Sequence, residues 1–285
     1  MDRQHVKNIS GFFHQLTPLI IDAMGGHTYQ AGTIAGMGGR ITEAHHATNR
    51  LIAKRAGLRH GQRVLDAGCG SGGPAVDIAR EIGDLTIEAV TISPDQAEAA
   101  RAHVAANDLA DRITVRVADY HELPFPDGWF DAIYFLESAC YSPDHSVLFP
   151  EVFRVLRPGG QLYVKDWFAD SGELSPVEER ALAELNELYV TCVRPIEYTA
   201  EAMTTAGFTD VRAAEERVFD STLYKQAMVK PDARKQAKRE SGSQREAPAS
   251  EALTEFGQAH LYPLALQGVT PMYVSELWAV RPPTS

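Results

Sequence analysis

Val64-Leu65-Asp66-Ala67-Gly68-Cys69-Gly70-Ser71-Gly72-Gly73 is a short apolar run that stops at an acid and enters a glycine-rich reversal. Glycine lets the backbone turn sharply and come close to a ligand with no Cβ in the way. Gly73 to Ile82 reads as a helix, whose first amides would point at an anionic group. The stretch has the form Asp-x-Gly-x-Gly, distinct from the Gly-x-Gly-x-x-Gly of dinucleotide-binding turns.

Working outward, short β-branched runs alternate with longer Ala-rich and charged segments, as strands alternate with helices in a parallel sheet. Strands are expected at 63–65, 87–92, 113–117, 132–136 and 161–166, and again at 211–218 and 272–280. Helices are expected at 73–82, 94–107, 145–156 and 200–207, with Pro94 suited to a first helical turn. The reading is an α/β fold: a Rossmann-like, doubly wound sheet of seven strands with a mainly helical cap. Residues 44–218 with 271–285 make the core, 1–43 an N-terminal cap segment and 219–270 a cap insertion. Within the insertion, Lys225 to Arg245 is basic, and reads either as a solvated helix and loop or as a lid that grips an anionic substrate.

The 285 residues carry a formal charge of -11, with 44% hydrophobic and 23% charged residues, which describes an acidic globular chain. Such a balance argues against a nucleic-acid substrate, since polyanion binding needs a basic face. Cys69, Cys140 and Cys192 are odd in number and far apart, so neither a disulfide framework nor a metal site is expected, and the cytoplasm is the expected location. No stretch reaches the roughly twenty apolar residues of a membrane span. A homo-oligomer is compatible with this composition.

The glycine turn resembles motif I of the class I S-adenosylmethionine-dependent methyltransferases, and further elements follow it in order. They are Thr91-Ile92-Ser93-Pro94-Asp95-Gln96, Val117-Ala118-Asp119, Phe125-Pro126-Asp127-Gly128-Trp129-Phe130-Asp131 and Arg154-Val155-Leu156-Arg157-Pro158-Gly159-Gly160. The resemblance implies S-adenosyl-L-methionine as cofactor, held by Asp66, Gly68, Cys69, Gly70, Thr91, Ile92, Gln96, Asp119, Tyr120 and Leu136. Asp119 would accept the adenine amine, and the glycine turn would take the methionine part. Many class I enzymes end the second strand with an acid for the ribose hydroxyls; here Gln96 stands one turn later and can both donate and accept. Thr-x-Ser-x-x-Gln resembles the cyclopropane-fatty-acid synthases and prenyl-diphosphate methyltransferases.

At the end of the fourth strand stands Phe135-Leu136-Glu137-Ser138-Ala139-Cys140-Tyr141-Ser142-Pro143-Asp144-His145. An acid at a strand end among apolar neighbours is a candidate base. This stretch is similar to a segment of the sterol and geranyl diphosphate C-methyltransferases. That likeness implies methylation of an isoprenoid double bond through a carbocation, which Glu137 stabilises or deprotonates. Aromatic faces stabilise cations; Tyr29, Tyr141 and Trp167 are the candidates, with Tyr141 placed beside Glu137 in the chemistry and Tyr29, His145 and Trp167 toward substrate. His45 and His46 read as surface or helix residues. The alternative is an O- or N-methyltransferase of a small natural product, with Tyr141 or His145 positioning the acceptor. No metal ligand set is evident, although a diphosphate substrate would bring its own Mg2+.

Overall fold

The computed structural model describes residues 2–24, 26–30, 41–214 and 272–284. The basic segment from Lys225 to Arg245 and the rest of the expected insertion therefore lie outside the described residues.

The strands β1 (Arg63–Ala67), β2 (Thr86–Thr91), β3 (Ile113–Val117), β4 (Phe130–Leu136), β5 (Leu156–Ala169), β6 (Thr209–Ala213) and β7 (Met272–Val280) form one sheet in the order β3-β2-β1-β4-β5-β7-β6. Strands β1 to β5 pair in parallel, and β7 runs antiparallel between β5 and β6. The order reverses at β1, whose neighbours are β2 and β4, and such a switch point opens a crevice at the carboxyl ends of the strands. Both the glycine turn after β1 and Glu137 after β4 sit there.

Successive residues of the central strands enter opposite faces, as the pleat requires. Val64, Ala132 and Tyr134 pack with helices α2 (Ile41–Arg55), α3 (Gly73–Ile82) and α4 (Pro94–Ala105). Leu65, Ile133 and Phe135 pack on the other face with α5 (His145–Val155) and α7 (Ile196–Thr205). A fully buried Leu, Ile or Phe contributes about 1.5–3 kcal/mol, so two such layers hold the strand ends rigidly. Ser93 caps α4 by accepting the Gln96 amide at 3.4 Å, and Pro94 occupies its first turn.

Several boundaries differ from expectation. Strand β5 starts at Leu156 rather than Gln161, because Phe130 already pairs with Leu156. Strand β6 starts at Thr209, two residues early, and 215–218 lie outside the described residues. Three helices were not anticipated: α1 (Arg3–Met24), α2 and α6 (Pro176–Tyr189). Helix α6 opens with a capping box in which Ser175 and Glu178 exchange hydrogen bonds.

Helix α1 lies across the carboxyl edge. His14 Nδ1 meets Asp95 Oδ2 of α4 at 2.9 Å, Phe13 packs edge-on against Tyr141 and Phe12 against Tyr189 of α6. Among the described residues no helix is long and apolar enough to cross a membrane.

Candidate active site

The turn after β1 is built on positive backbone angles, with φ of 97° at Gly68, 53° at Gly70 and 86° at Gly72. Only glycine adopts these cheaply. A Cβ on Gly68 would lie 2.4 Å from Ser138 Cβ, so the β4 loop is pressed against the turn. Among the described residues, a Cβ on Gly70 would meet only Gln96 Nε2, at 3.9 Å. The Gly68 and Cys69 amides donate to Val90 O at 3.0 and 2.9 Å, which locks the turn to β2.

Asp66 is 1% exposed, and its Oδ2 has no hydrogen-bond partner among the described residues. Burial pushes its carboxyl up to about 7, a rise that the neighbouring Tyr134 hydroxyl offsets only in part. Thr91 Oγ1 donates to Gln96 Oε1 at 2.8 Å and so aims the amide nitrogen of Gln96 toward the glycine turn. Ile92 is half-buried beside it. Cys69 is buried and its thiol pushed well up by burial, so it lines the turn without reactivity.

After β3, Asp119 accepts from the amide of His121 at 2.9 Å and from its ring Nδ1 at 2.7 Å. Burial works to raise the carboxyl, but these bonds outweigh it and hold Asp119 down to about 2. The far ring nitrogen, Nε2, meets Ser142 Oγ at 2.8 Å, tying this turn to the β4 loop. Tyr120 donates its hydroxyl to Ser138 O at 2.9 Å.

Glu137 occupies a left-handed conformation, φ 53°, at the end of β4, next to Leu136. A non-glycine residue held there stores strain of the kind that clusters at functional sites. Its Oε1 accepts from Lys165 Nζ and its Oε2 from Trp167 Nε1 at 3.1 Å. Lys165 is wholly buried, and its ammonium also reaches Gln30 Oε1 at 3.3 Å. Tyr141 has its phenol pushed up by burial first, with Cys140, Tyr29, Asp166 and Glu137 adding to the rise. Trp167 thus contacts Glu137 directly, and Tyr29 and Glu137 lie close enough to Tyr141 to act on it electrostatically.

The segment carrying Tyr29 is fastened over the glycine turn. His27 O accepts from Ser71 Oγ at 3.0 Å and from the Gly73 amide at 3.1 Å. Gln30 Nε2 donates to Asn49 Oδ1 at 3.1 Å, and Asn49 Nδ2 donates to Asp77 Oδ2 at 2.7 Å. A buried polar chain thus runs from Glu137 through Lys165, Gln30 and Asn49 to Asp77.

His45 and His46 are both helix residues, on α2: His45 is buried, with Nε2 on Gln30 O at 3.2 Å, and His46 is exposed and pairs with Asp77. His145 is packed between α5 and α7, where Nε2 donates to Ala139 O and Nδ1 accepts from Thr199 Oγ1, each at 3.2 Å. Burial pushes it down to about 4, so the ring is neutral with both nitrogens engaged. Sequence reading missed Lys165, Asp166, His121, Gln30 and Asn49. For the first two a signal existed, since a Lys-Asp pair interrupts the apolar run from Leu162 to Ala169.

Among the described residues, no group of three or more His, Cys, Asp or Glu could hold a metal ion. The profile of a methyltransferase domain matches residues 65–164. The O-methyltransferase rstn1 of Aspergillus nomiae is 33% identical over 189 residues, covering 64% of this chain and 79% of that protein. Methyltransferase GfsG of Streptomyces halstedii is 38% identical over 126 residues, covering 44% of this chain and 45% of that protein. Sterol 24-C-methyltransferase of Yarrowia lipolytica is 36% identical over 128 residues, covering 45% of this chain and 33% of that protein. The last two matches thus take in less than half of those relatives.

Among solved structures, the [4+2]-cyclase SpnF superposes with a TM-score of 0.77 at 23% identity, covering 98% of this chain and 97% of SpnF. Geranyl diphosphate C-methyltransferase of Streptomyces coelicolor gives 0.67 at 18%, covering 97% of each chain. Likeness at these identities speaks to fold alone. Sheet, glycine turn and sequence relatives together define the class: the chain belongs to the class I S-adenosylmethionine-dependent methyltransferases.

Proposed function

We propose that the chain transfers a methyl group from S-adenosylmethionine to a hydroxyl of a small, largely apolar natural product, with Glu137 as the base. The residues present fit the donor, since among the described residues Asp66 keeps an unsatisfied oxygen in the β1 turn and a Cβ on Gly70 would meet nothing nearer than Gln96 Nε2 at 3.9 Å. Asp66, Gly68, Cys69 and Gly70 would hold its methionine arm, Thr91, Ile92 and Gln96 its ribose, and Asp119, Tyr120 and Leu136 its adenine side. Bound there, the donor supplies an electrophilic methyl on a sulfonium.

The observation that carries the reading is the pairing of Glu137 with Lys165. A carboxylate held in place by an ammonium and an indole N–H can orient an acceptor's hydroxyl in line and take its proton as the bond forms. The long match with an O-methyltransferase supports this choice of atom. His145 is left out, because both ring nitrogens are engaged.

A second reading is methylation of an isoprenoid double bond. The gathering of Tyr29, Tyr141 and Trp167 around Glu137 favours it, as does the similarity to a sterol C-methyltransferase. There the aromatic faces would stabilise the tertiary cation and Glu137 would accept the proton lost from it. If the substrate is a diphosphate, Mg2+ would arrive with it, and Lys225 to Arg245 would be the segment to meet it.

In either case the N-terminal part, residues 1–43, would serve as cap over a core of 44–218 and 271–285, which the place of α1 across the carboxyl edge supports; the other cap assignment, 219–270, lies outside the described residues. The test is incubation with labelled donor and three acceptor sets: phenols, prenyl diphosphates with magnesium, and prenylated phenols that offer oxygen and alkene together. Methyl ethers are expected. Label appearing only on alkene carbon would transfer the assignment to the second reading.

A further inference from the structure

The carboxylate of Asp166 lies next to Glu137 in space but takes no part in the chemistry just described. It is 1% exposed, and it gathers the backbone of the β4 loop: Oδ2 accepts from the amides of Ser138, Ala139 and Cys140 at 3.1, 2.7 and 3.1 Å. Its other oxygen, Oδ1, accepts from the Trp167 amide at 2.8 Å. Three consecutive amides converge on this one oxygen, while the carbonyl of Ser138 and its hydroxyl tie the same turn to Tyr120 and to Ala67 O. That turn begins at the residue with φ 53°.

The neighbours of Asp166 in β5 complete the mount. Lys165 O accepts the Glu137 amide at 2.7 Å, while Lys165 Nζ and Trp167 Nε1 take one carboxylate oxygen each. The tripeptide Lys165-Asp166-Trp167 thus grips Glu137 by its amide, by the three amides that follow and by both side-chain oxygens. A left-handed residue persists only where its surroundings over-determine it. Here β5 supplies the contacts to Glu137 itself and to the three amides after it, and the turns after β1 and β3 brace Ser138 from the other side.

We infer that Asp166 is the positioning residue that holds Glu137 in its left-handed, inward conformation, an assignment that rests on the reading of Glu137 as the base. Replacing the carboxylate removes the common acceptor of three amides, and each buried N–H left unpaired favours a rearranged loop. Glu137 then leaves the Trp167 indole.

The experiment reads that indole directly. The sequence holds three tryptophans, Trp129, Trp167 and Trp278, so the indole N–H region of a nitrogen–proton correlation spectrum of the full chain with S-adenosylhomocysteine has three signals. Trp167→Phe assigns the one of interest, and Glu137→Ala gives its position without the carboxylate. Trp278 Nε1 donates to Arg55 O at 2.8 Å, far from the loop in sequence, and its signal reports the integrity of the fold.

In Asp166→Ala, which leaves no side-chain acceptor, the Trp167 signal is expected to shift to its Glu137→Ala position, with Trp129 and Trp278 unmoved. A Trp167 signal unchanged from the parent overturns the inference. Asp166→Ser is the second variant; loss of all three native signals in both makes Asp166 a residue of the fold and overturns it equally. No acceptor enters this measurement, so its failure leaves the hydroxyl reading standing, and an empty acceptor panel leaves the role of Asp166 standing.

Discussion

Lys165 and Glu137 face each other across the ends of neighbouring strands, ammonium to carboxylate, with side chains 0% and 7% exposed. Removing one partner of such a pair leaves the other buried and uncompensated, which costs about 3–5 kcal/mol. Lys165→Met should lose stability of that order in urea or guanidinium unfolding. The double variant Lys165→Met with Glu137→Leu should recover most of it while remaining inactive. Equal stability of Lys165→Met and the parent would mean that the pair is solvated in solution.

The second prediction concerns proton linkage at Asp66. Its folded value of about 7 lies above the 3.8 of the unstructured group. Through that window the folded chain holds a proton that the unfolded chain has lost, so the free chain's stability falls as pH rises toward 7. The donor carries an ammonium on its methionine arm and binds best to the ionised carboxylate. Affinity for S-adenosylhomocysteine should therefore rise with pH up to about 7 and then level off, with proton release below that point visible in calorimetry across buffers of different ionisation enthalpy. Asp66→Asn should bind more weakly and without this dependence; a pH-dependent Asp66→Asn would place the titration elsewhere.

The third concerns the seating of the entry segment. A Cβ on Gly73 would lie 2.4 Å from Thr28 Oγ1 and 2.5 Å from His27 O, and the latter is backbone. Overpacking of this kind costs about 1–3 kcal/mol. Gly73→Ala should thus lower the unfolding midpoint and also weaken acceptor binding, because Tyr29 moves with the segment. Unchanged kinetics in a destabilised Gly73→Ala would show that the 26–30 segment plays no part in the acceptor site.

What could be read from sequence followed from local causes. Gly68, Gly70 and Gly72 announce positive φ, Ser93-Pro94 announces a helix start, and β-branched runs announce central strands. The Ser175-Pro176-Val177-Glu178 start of α6 is an equally local signal. Lys165 and Asp166 belong to a different order of information. Each lies 28 residues from a partner on Glu137 or Ser138, and Gln30 lies 135 from Lys165, so their roles exist only once the strands are side by side. The burial of His45 on α2 is information of the same kind, since helical periodicity does not reveal that the carbonyl of Gln30 covers it.

The most direct test of the account is the rate of methyl ether formation by Glu137→Gln, measured together with its affinity for S-adenosylhomocysteine. Loss of a positioned base costs about a hundred- to ten-thousandfold in rate. That loss is predicted, with cofactor-product affinity held within a few-fold. Ether formation at the parent rate, with the same affinity, would contradict the role given to Glu137.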